Sequence, residues 1–238
     1  VSDRGGNSAS VDYDSNSGVL TLDGTAPGAP TITGSSPTND TTPTWSWSSA
    51  GSGSGTYRYE LDESDLTSGA TETTELSYTP AGALGDGDHT LYVQERDTAG
   101  NWSSSGSATI TVDATAPEVH QVSSSDGTYT TGQKVTISVT WSEAVVVTGG
   151  APTLELNTSP TTRSATYTGG TTTSTLTFEY TVQSGDSSAA LDYLSAGALQ
   201  LGGASIKDSL GNDAETTLVD PGAIGSLGAS SSVVVDGS

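Results

Sequence analysis

Apolar and polar residues alternate with a period of two along much of the chain. Thr44-Trp45-Ser46-Trp47, Thr56-Tyr57-Arg58-Tyr59-Glu60-Leu61, Thr90-Leu91-Tyr92-Val93-Gln94 and Ala108-Thr109-Ile110-Thr111-Val112 each read as a short strand. Further on, Val135, Ile137, Val139 and Trp141 share a face, as do Leu154 and Leu156, then Leu176, Phe178, Tyr180 and Val182, then Val233 and Val235. Such alternation puts one face of a strand in a core and the other in water. Turn-rich segments such as Ser49 to Gly55 and Gly85-Asp86-Gly87-Asp88 separate the strands, and no segment carries a 3.6-residue apolar stripe. The prediction is an all-β protein of packed sheets. Ser188 to Leu201, with Leu191, Tyr193, Leu194, Leu199 and Leu201, has mixed spacing and leaves strand and helical turn both open.

A second regularity overlies the first. Asp97-Thr98-Ala99-Gly100-Asn101 is followed by a strand that ends in Asp113-Ala114-Thr115-Ala116-Pro117. The same pair of signatures occurs as Asp3-Arg4-Gly5-Gly6-Asn7 with Asp23-Gly24-Thr25-Ala26-Pro27, and as Asp208-Ser209-Leu210-Gly211-Asn212 with Asp236-Gly237-Ser238. Recurrence of this kind marks an array of like modules. The expected division is 1–23, the terminal hairpin or strand of a preceding repeat; 24–113, a first repeat; and 114–238, a second. Short strands at regular spacing make each repeat a Greek-key β-sandwich of immunoglobulin-like type, and the two an elongated tandem array, a slice of a longer polymer of domains. Residues 1–22 hold too little to fold alone. They either close the preceding module or pair with the open sheet edge of a neighbouring molecule, which would be a route to self-association.

Charge narrows the partners. The 28 Asp and Glu against six Lys and Arg give a formal net charge of −22 over 238 residues, which repels nucleic acid and anionic lipid and attracts cations. Low hydrophobicity with such charge also fits disorder, but the strand alternation argues for folded modules. There is no Cys and no Met, so stability must come from packing or metal rather than disulfides. No stretch approaches a membrane span, so direct membrane insertion is not expected. Val1 has neither the basic start nor the apolar run of a signal peptide, which places any export signal outside this stretch.

The acidic turns carry the candidate chemistry. If the strand ending at Glu95 is the sixth of its sandwich and the next begins near Gly106, the turn between them lies at the module's N-terminal end. Asp97 and Asn101 then face Asp23, and Glu95, two residues before Asp97, points the same way. By the same topology Asp208 and Asn212 face Asp113, the loop holding Ser142-Glu143 reaches the same end, and Asp3 and Asp236 belong to the outer copies. Carboxylate and carbonyl oxygens without His or Cys suit calcium. Gly100 and Gly211 fit a tight turn that needs positive φ. Without a cation, carboxylates ~5 Å apart repel by a few kcal/mol at an effective dielectric of about 20. With Pro restricting each Thr-Ala-Pro linker, the expectation is a junction flexible without calcium and stiff with it. Asp, Gly and Asn also favour ordinary hairpin turns, and that plain reading stands beside the metal one. Asp40 and Asp126 are lesser metal candidates, whereas Asp12, Asp14, Glu60, Asp62, Glu63 and Asp65 read as solvated charge. Neither the EF-hand spacing nor the calcium-binding nonapeptide occurs.

Trp45, Trp47 and Trp141 alternate with polar residues and read as core rather than as a sugar platform; Trp102, just past a turn, is open. His89 follows Asp86-Gly87-Asp88 where related sandwiches carry a corner tyrosine, which points to a structural role. The chain has no Gly-x-Ser-x-Gly elbow and no phosphate loop, and Gly51-Ser52-Gly53-Ser54-Gly55 matches neither fingerprint. Catalysis is not expected.

Several stretches resemble the bacterial immunoglobulin-like tandem repeats of giant secreted adhesins and other repetitive cell-surface proteins. In the first module they are Asp23-Gly24-Thr25-Ala26-Pro27, Ser36-Pro37-Thr38-Asn39-Asp40, Gly85-Asp86-Gly87-Asp88-His89-Thr90 and Glu95-Arg96-Asp97-Thr98-Ala99-Gly100-Asn101. In the second they are Asp126-Gly127-Thr128-Tyr129, Trp141-Ser142-Glu143-Ala144-Val145, Ser174-Thr175-Leu176-Thr177-Phe178 and Asp208-Ser209-Leu210-Gly211-Asn212. The resemblance implies a calcium-rigidified extension region of an extracellular or cell-surface adhesin, whose partners are neighbouring repeats and calcium ions. A carbohydrate- or protein-binding module, and a fibre or sheath subunit assembled by strand exchange, are the alternatives. Fold alone does not choose among them.

Overall fold

A computed structural model describes residues 10–13 and 20–238 of the chain. The chain forms two compact units, Val1–Ala114 and Thr115–Ser238.

In the first unit, β1 (Ser10–Tyr13) and β2 (Leu20–Asp23) make an antiparallel pair with Ser10 opposite Asp23. A seven-strand sandwich follows: β3 (Thr31–Thr33), β4 (Trp45–Ser48), β5 (Thr56–Leu61), β6 (Thr71–Thr73), β7 (Ser77–Tyr78), β8 (Gly87–Arg96) and β9 (Gly106–Val112). One sheet has the order β3-β4-β7 and the other β6-β5-β8-β9. The chain crosses between sheets from β4 to β5 and again around β7, which is the Greek-key weave of an immunoglobulin-like sandwich. After β3 the chain switches sheets, and Thr38 pairs in parallel with Val112 of β9. Trp45 and Trp47 are fully or nearly buried and meet Tyr57, Leu91, Val93, Ile110 and Val112 between the sheets. The indole of Trp45 donates to the Ala108 carbonyl at 3.0 Å. Alternation is the cause: β4 reads buried, exposed, buried, exposed, so every second side chain enters the core.

The second unit is larger. Its main sheet runs β10 (Val119–Ser124), β12 (Lys134–Thr148), β15 (Thr173–Thr181), β14 (Arg163–Gly169), β13 (Thr153–Leu156) and β17 (Leu199–Gln200), and β18 (Ser205–Lys207) pairs with the far half of β12. A smaller sheet joins β11 (Gly127–Thr130), β19 (Val233–Asp236) and β16 (Ser187–Ser188), with β11 and β19 parallel over four residue pairs. Val135, Ile137, Val139, Leu154, Leu156, Leu176, Phe178, Val233 and Val235 form the core with Trp141, Tyr180 and Tyr193. The segment 188–201 contains no helix; it supplies β17 and a bridge from Tyr193 to Leu156. Helix α1 (Leu227–Ser230) lies elsewhere, capped by the Ser226 hydroxyl, and four residues are too few to show a helical period in sequence.

The reading of Ser142-Glu143 as a loop is corrected. Both lie within β12, at an irregularity between Thr140 and Val145. Before it β12 pairs with β10 and β15, and after it Val146, Val147 and Thr148 pair with β18.

Candidate functional site

The two described Asp-x-x-Gly-Asn segments adopt one geometry. In each, the flanking residues close a hairpin through a β-bridge, Arg96 with Trp102 and Lys207 with Asp213. The Asp N–H donates to the Asn carbonyl, at 3.0 Å from Asp97 to Asn101 and 3.1 Å from Asp208 to Asn212. Gly100 and Gly211 take φ of +98° and +100°, a region open to glycine without steric cost. Asp97 Oδ1 accepts the Asn101 N–H at 2.8 Å, and Oδ2 accepts the Asn101 side-chain amide at 2.9 Å. Asp208 Oδ1 accepts the N–H groups of Leu210, Gly211 and Asn212, and Oδ2 accepts the Asn212 amide at 2.7 Å. Both carboxylates are buried. Burial pushes each carboxyl up, but the Asn side chain and the turn N–H groups outweigh it and hold both below the usual carboxylate range.

The surroundings of each turn follow from topology. The turn at 97–101 precedes β9, at the end where the chain enters the sandwich, and the Asn101 amide also donates to the Asp23 carbonyl at 3.1 Å. Thus Asp23, Asp97 and Asn101 come together. The Asp23 carboxylate itself turns to the Thr25 N–H, at 3.0 Å. Asp113 lies at the exit of β9, the whole seven-residue strand or ~20 Å away from the end that bears that turn, and its N–H donates to the Thr38 carbonyl. Asp208 follows β18, one step past the pairing of Lys207 with Val146, which carries it to the irregularity of β12. Glu143 and Asp208 there have carboxylate oxygens within 4.8 Å of each other. Asp236, exposed at the end of β19, accepts the Ser238 N–H at 3.2 Å, as Asp23 does two residues on. Asp3 lies outside the described residues.

Glu95 is on the inward face of β8, two residues before Asp97, but reaches the loop that joins β4 to β5. Ser49 donates its hydroxyl to Glu95 at 2.5 Å and Gly55 its N–H at 3.3 Å. A Cβ at Gly53 would fall 1.9 Å from the Glu95 carboxyl carbon, so the glycine-rich loop is a cover that closes over a buried carboxylate. Glu95 is 1% exposed and Asp97 6%. Neither is in an ion pair among the described residues. On the outer face, the guanidiniums of Arg58 and Arg96 stand 4.4 and 5.2 Å from the ring of Trp102, which resolves the open reading of that residue as a cation–π stack.

Sequence reasoning missed two polar arrangements. Asp62, read as solvated charge, binds His89 Nδ1 at 2.8 Å and the Thr90 N–H at 2.7 Å. Asp186, 1% exposed, meets Arg163 at 2.9 Å, the Tyr180 hydroxyl at 2.6 Å and the Gln183 N–H at 3.0 Å. Burial pushes Asp186 up, but those bonds, Arg163 first, hold it below its usual range. Partners 27 and 23 residues apart leave no local spacing to find.

The fold and these turns define a class: an all-β protein built on immunoglobulin-like sandwiches. Residues 26–114 match the family model of the bacterial Ig-like domain. Domains of that family are typically parts of extracellular or surface proteins. No match to the chain was found among curated proteins. Among solved structures, the crystal structure of chicken CNTN1 FN1-FN3 domains is similar at 13% identity and a TM-score of 0.36, over 90% of this chain and 68% of that one. Among the described residues, no helix is long and apolar enough to cross a membrane.

Proposed function

We propose that the chain is a non-catalytic extension segment of a bacterial surface or secreted adhesin-like protein, stiffened by calcium held at its Asp-x-x-Gly-Asn turns. The observation that supports this most is the pair of buried carboxylates, Glu95 and Asp97, with no cationic partner among the described residues. Buried charges ordinarily pair with an opposite charge or ligate a metal. The groups gathered at this end are oxygen donors: the Asp97 carboxylate, the Asp23 carbonyl and the Asn101 side chain, whose oxygen and nitrogen exchange places when the amide turns over. A set of hard oxygens fits calcium better than a softer metal.

In the second unit, Glu143 and Asp208 within 4.8 Å repel by roughly 3 kcal/mol at an effective dielectric of about 20. Calcium, when bound, supplies the positive charge that offsets such repulsion. The chain's own residues shape the receiving turn: Asp97 and Asp208 fix it by accepting its N–H groups, and Gly100 and Gly211 let it close. The same sequence repeat adds Asp113, Asp3 and Asp236 to the proposed calcium ligands.

Thermal unfolding and small-angle scattering in millimolar calcium, in magnesium and in excess chelator test this reading. Calcium raises Tm and narrows the range of shapes, magnesium does neither, and Asp97→Ala removes part of the gain. At about 100 times its dissociation constant one ion adds ~2.7 kcal/mol. No response of Tm or shape to calcium would reduce the turns to plain hairpin turns and end the proposal.

A further inference from the structure

His89 occupies the third position of β8, at the opposite end of that strand from Asp97. Its Nδ1 lies 2.8 Å from Asp62 Oδ2 and its Nε2 lies 2.9 Å from the Gly85 carbonyl. Both partners are acceptors only. A neutral imidazole has one N–H and one lone pair, so it satisfies one of the two contacts and sets lone pair against lone pair at the other. The imidazolium donates to both.

What the ring joins gives this choice a consequence. Asp62 is the first residue after β5 and holds a left-handed φ of +62°. Its Oδ1 accepts the Thr90 N–H at 2.7 Å, and its own N–H donates to the Thr90 carbonyl at 2.7 Å. Gly85 lies two residues before β8, and the entry to that strand also grips the chain as it leaves the unit: Asp86 accepts the Ala114 N–H at 2.8 Å, and Asp88, the second residue of β8, accepts the Thr111 hydroxyl at 2.6 Å.

We propose that His89 is a proton-operated clasp: its imidazolium ties the loop after β5, at Asp62, to the loop before β8, at Gly85, and loss of one proton releases one of the two bonds and loosens the exit end of the first unit. The charged groups bearing on the ring are anionic, Asp62 first and then Asp88. The residue opposite it on β9, Ile110, is apolar, and the neighbouring Thr109 and Thr111 are uncharged. The Tyr78 phenol stays neutral here, pushed up by burial and then by Tyr59 and Asp62. The hydrogen bond to Asp62 and then that to Gly85 raise the His89 pKa against the opposing effect of burial. A group raised on folding contributes fully below its unfolded value, about 6.5, and that contribution is lost as pH rises through the folded midpoint.

The test is an NMR titration of the His89 ring in the full chain, in chelator throughout so that metal plays no part, with His120→Gln used to assign the signals. Amide exchange at Asp62 and Thr90 is followed over the same range. The midpoint lies above the ordinary histidine value, and Asp62→Asn, which keeps an acceptor for Thr90, brings it down. Exchange at both amides rises through the midpoint beyond the base-catalysed rise seen in His89→Gln. A wild-type midpoint at or below the ordinary value, a midpoint indifferent to Asp62→Asn, or exchange matching His89→Gln throughout would overturn the clasp. The wild-type titration alone decides if a variant fails to fold.

Discussion

The first unit fills its core with few, large, aromatic side chains, and the second with many aliphatic ones. Trp45, Trp47 and Tyr57, with Tyr59 and Tyr78 packed beside them, do in the first what the rows along β12, β13 and β15 do in the second. The ring contacts at 4.8 to 6.3 Å knit those aromatics together. Their polar pins differ too. The first unit is tied by a histidine–aspartate pair open to water, the second by an aspartate with an arginine and a tyrosine at 1% exposure. Short strands rich in Ser, Thr and Gly make a stable sandwich either by large rings or by a longer, continuous sheet. Stability in the first case rests on a few positions.

The widest separation of the two units comes from Trp45→Ala, which removes the hub of the smaller core. It is expected to cost about 3–5 kcal/mol, so calorimetry resolves an early transition for the first unit while the second melts as before. A single merged transition with both units lowered would break the comparison. Next is Asp186→Ala, which strands Arg163 and the Tyr180 hydroxyl around a vacated site. Losing one partner of a buried pair costs about 3 kcal/mol, here in the second unit alone.

The smallest change brings the units together. Asp97→Ala and Asp208→Ala each unsatisfy N–H groups of one turn, at about 1–3 kcal/mol, and in chelator the two costs should be of one order because each carboxylate accepts the Asn N–H and the Asn side-chain amide, with the excess at Asp208, which also accepts from Leu210 and Gly211. Both carboxyls lie below their usual range on folding. Their contribution is therefore complete above the unfolded value of about 3.9 and falls away as pH drops through the folded one. Acid unfolding of the wild type should be steeper in that window than that of either variant.

Much of the fold was legible because burial is one-sided. Val135, Ile137, Val139 and Trp141 announce an inward face by spacing alone, and they line the core. The geometry of the Asp-x-x-Gly-Asn turn was legible for a related reason, since its bonds close within five residues and the same letters return the same loop. What spans the chain was not. Glu143 came to Asp208 through a break inside a continuous strand, where sequence suggested a loop. The Gly51–Gly55 run has the composition of a spacer, and only the carboxylate under Gly53 shows why a side chain is refused there.

The parallel pairing of β11 with β19 bears on mechanical load. When the two ends of an antiparallel hairpin are pulled apart, its bonds open one after another; a parallel pair drawn in opposite directions slides, and its bonds strain together. Gly127 to Thr130 against Val233 to Asp236 is such a pair, with four residues in register, and Thr38 against Val112 is a one-step version in the other unit. Once tension reaches β11, the second unit resists by shear, whereas a hairpin such as β8–β9 would peel. In a pulling experiment the larger rupture force should belong to the unit with the longer parallel ladder.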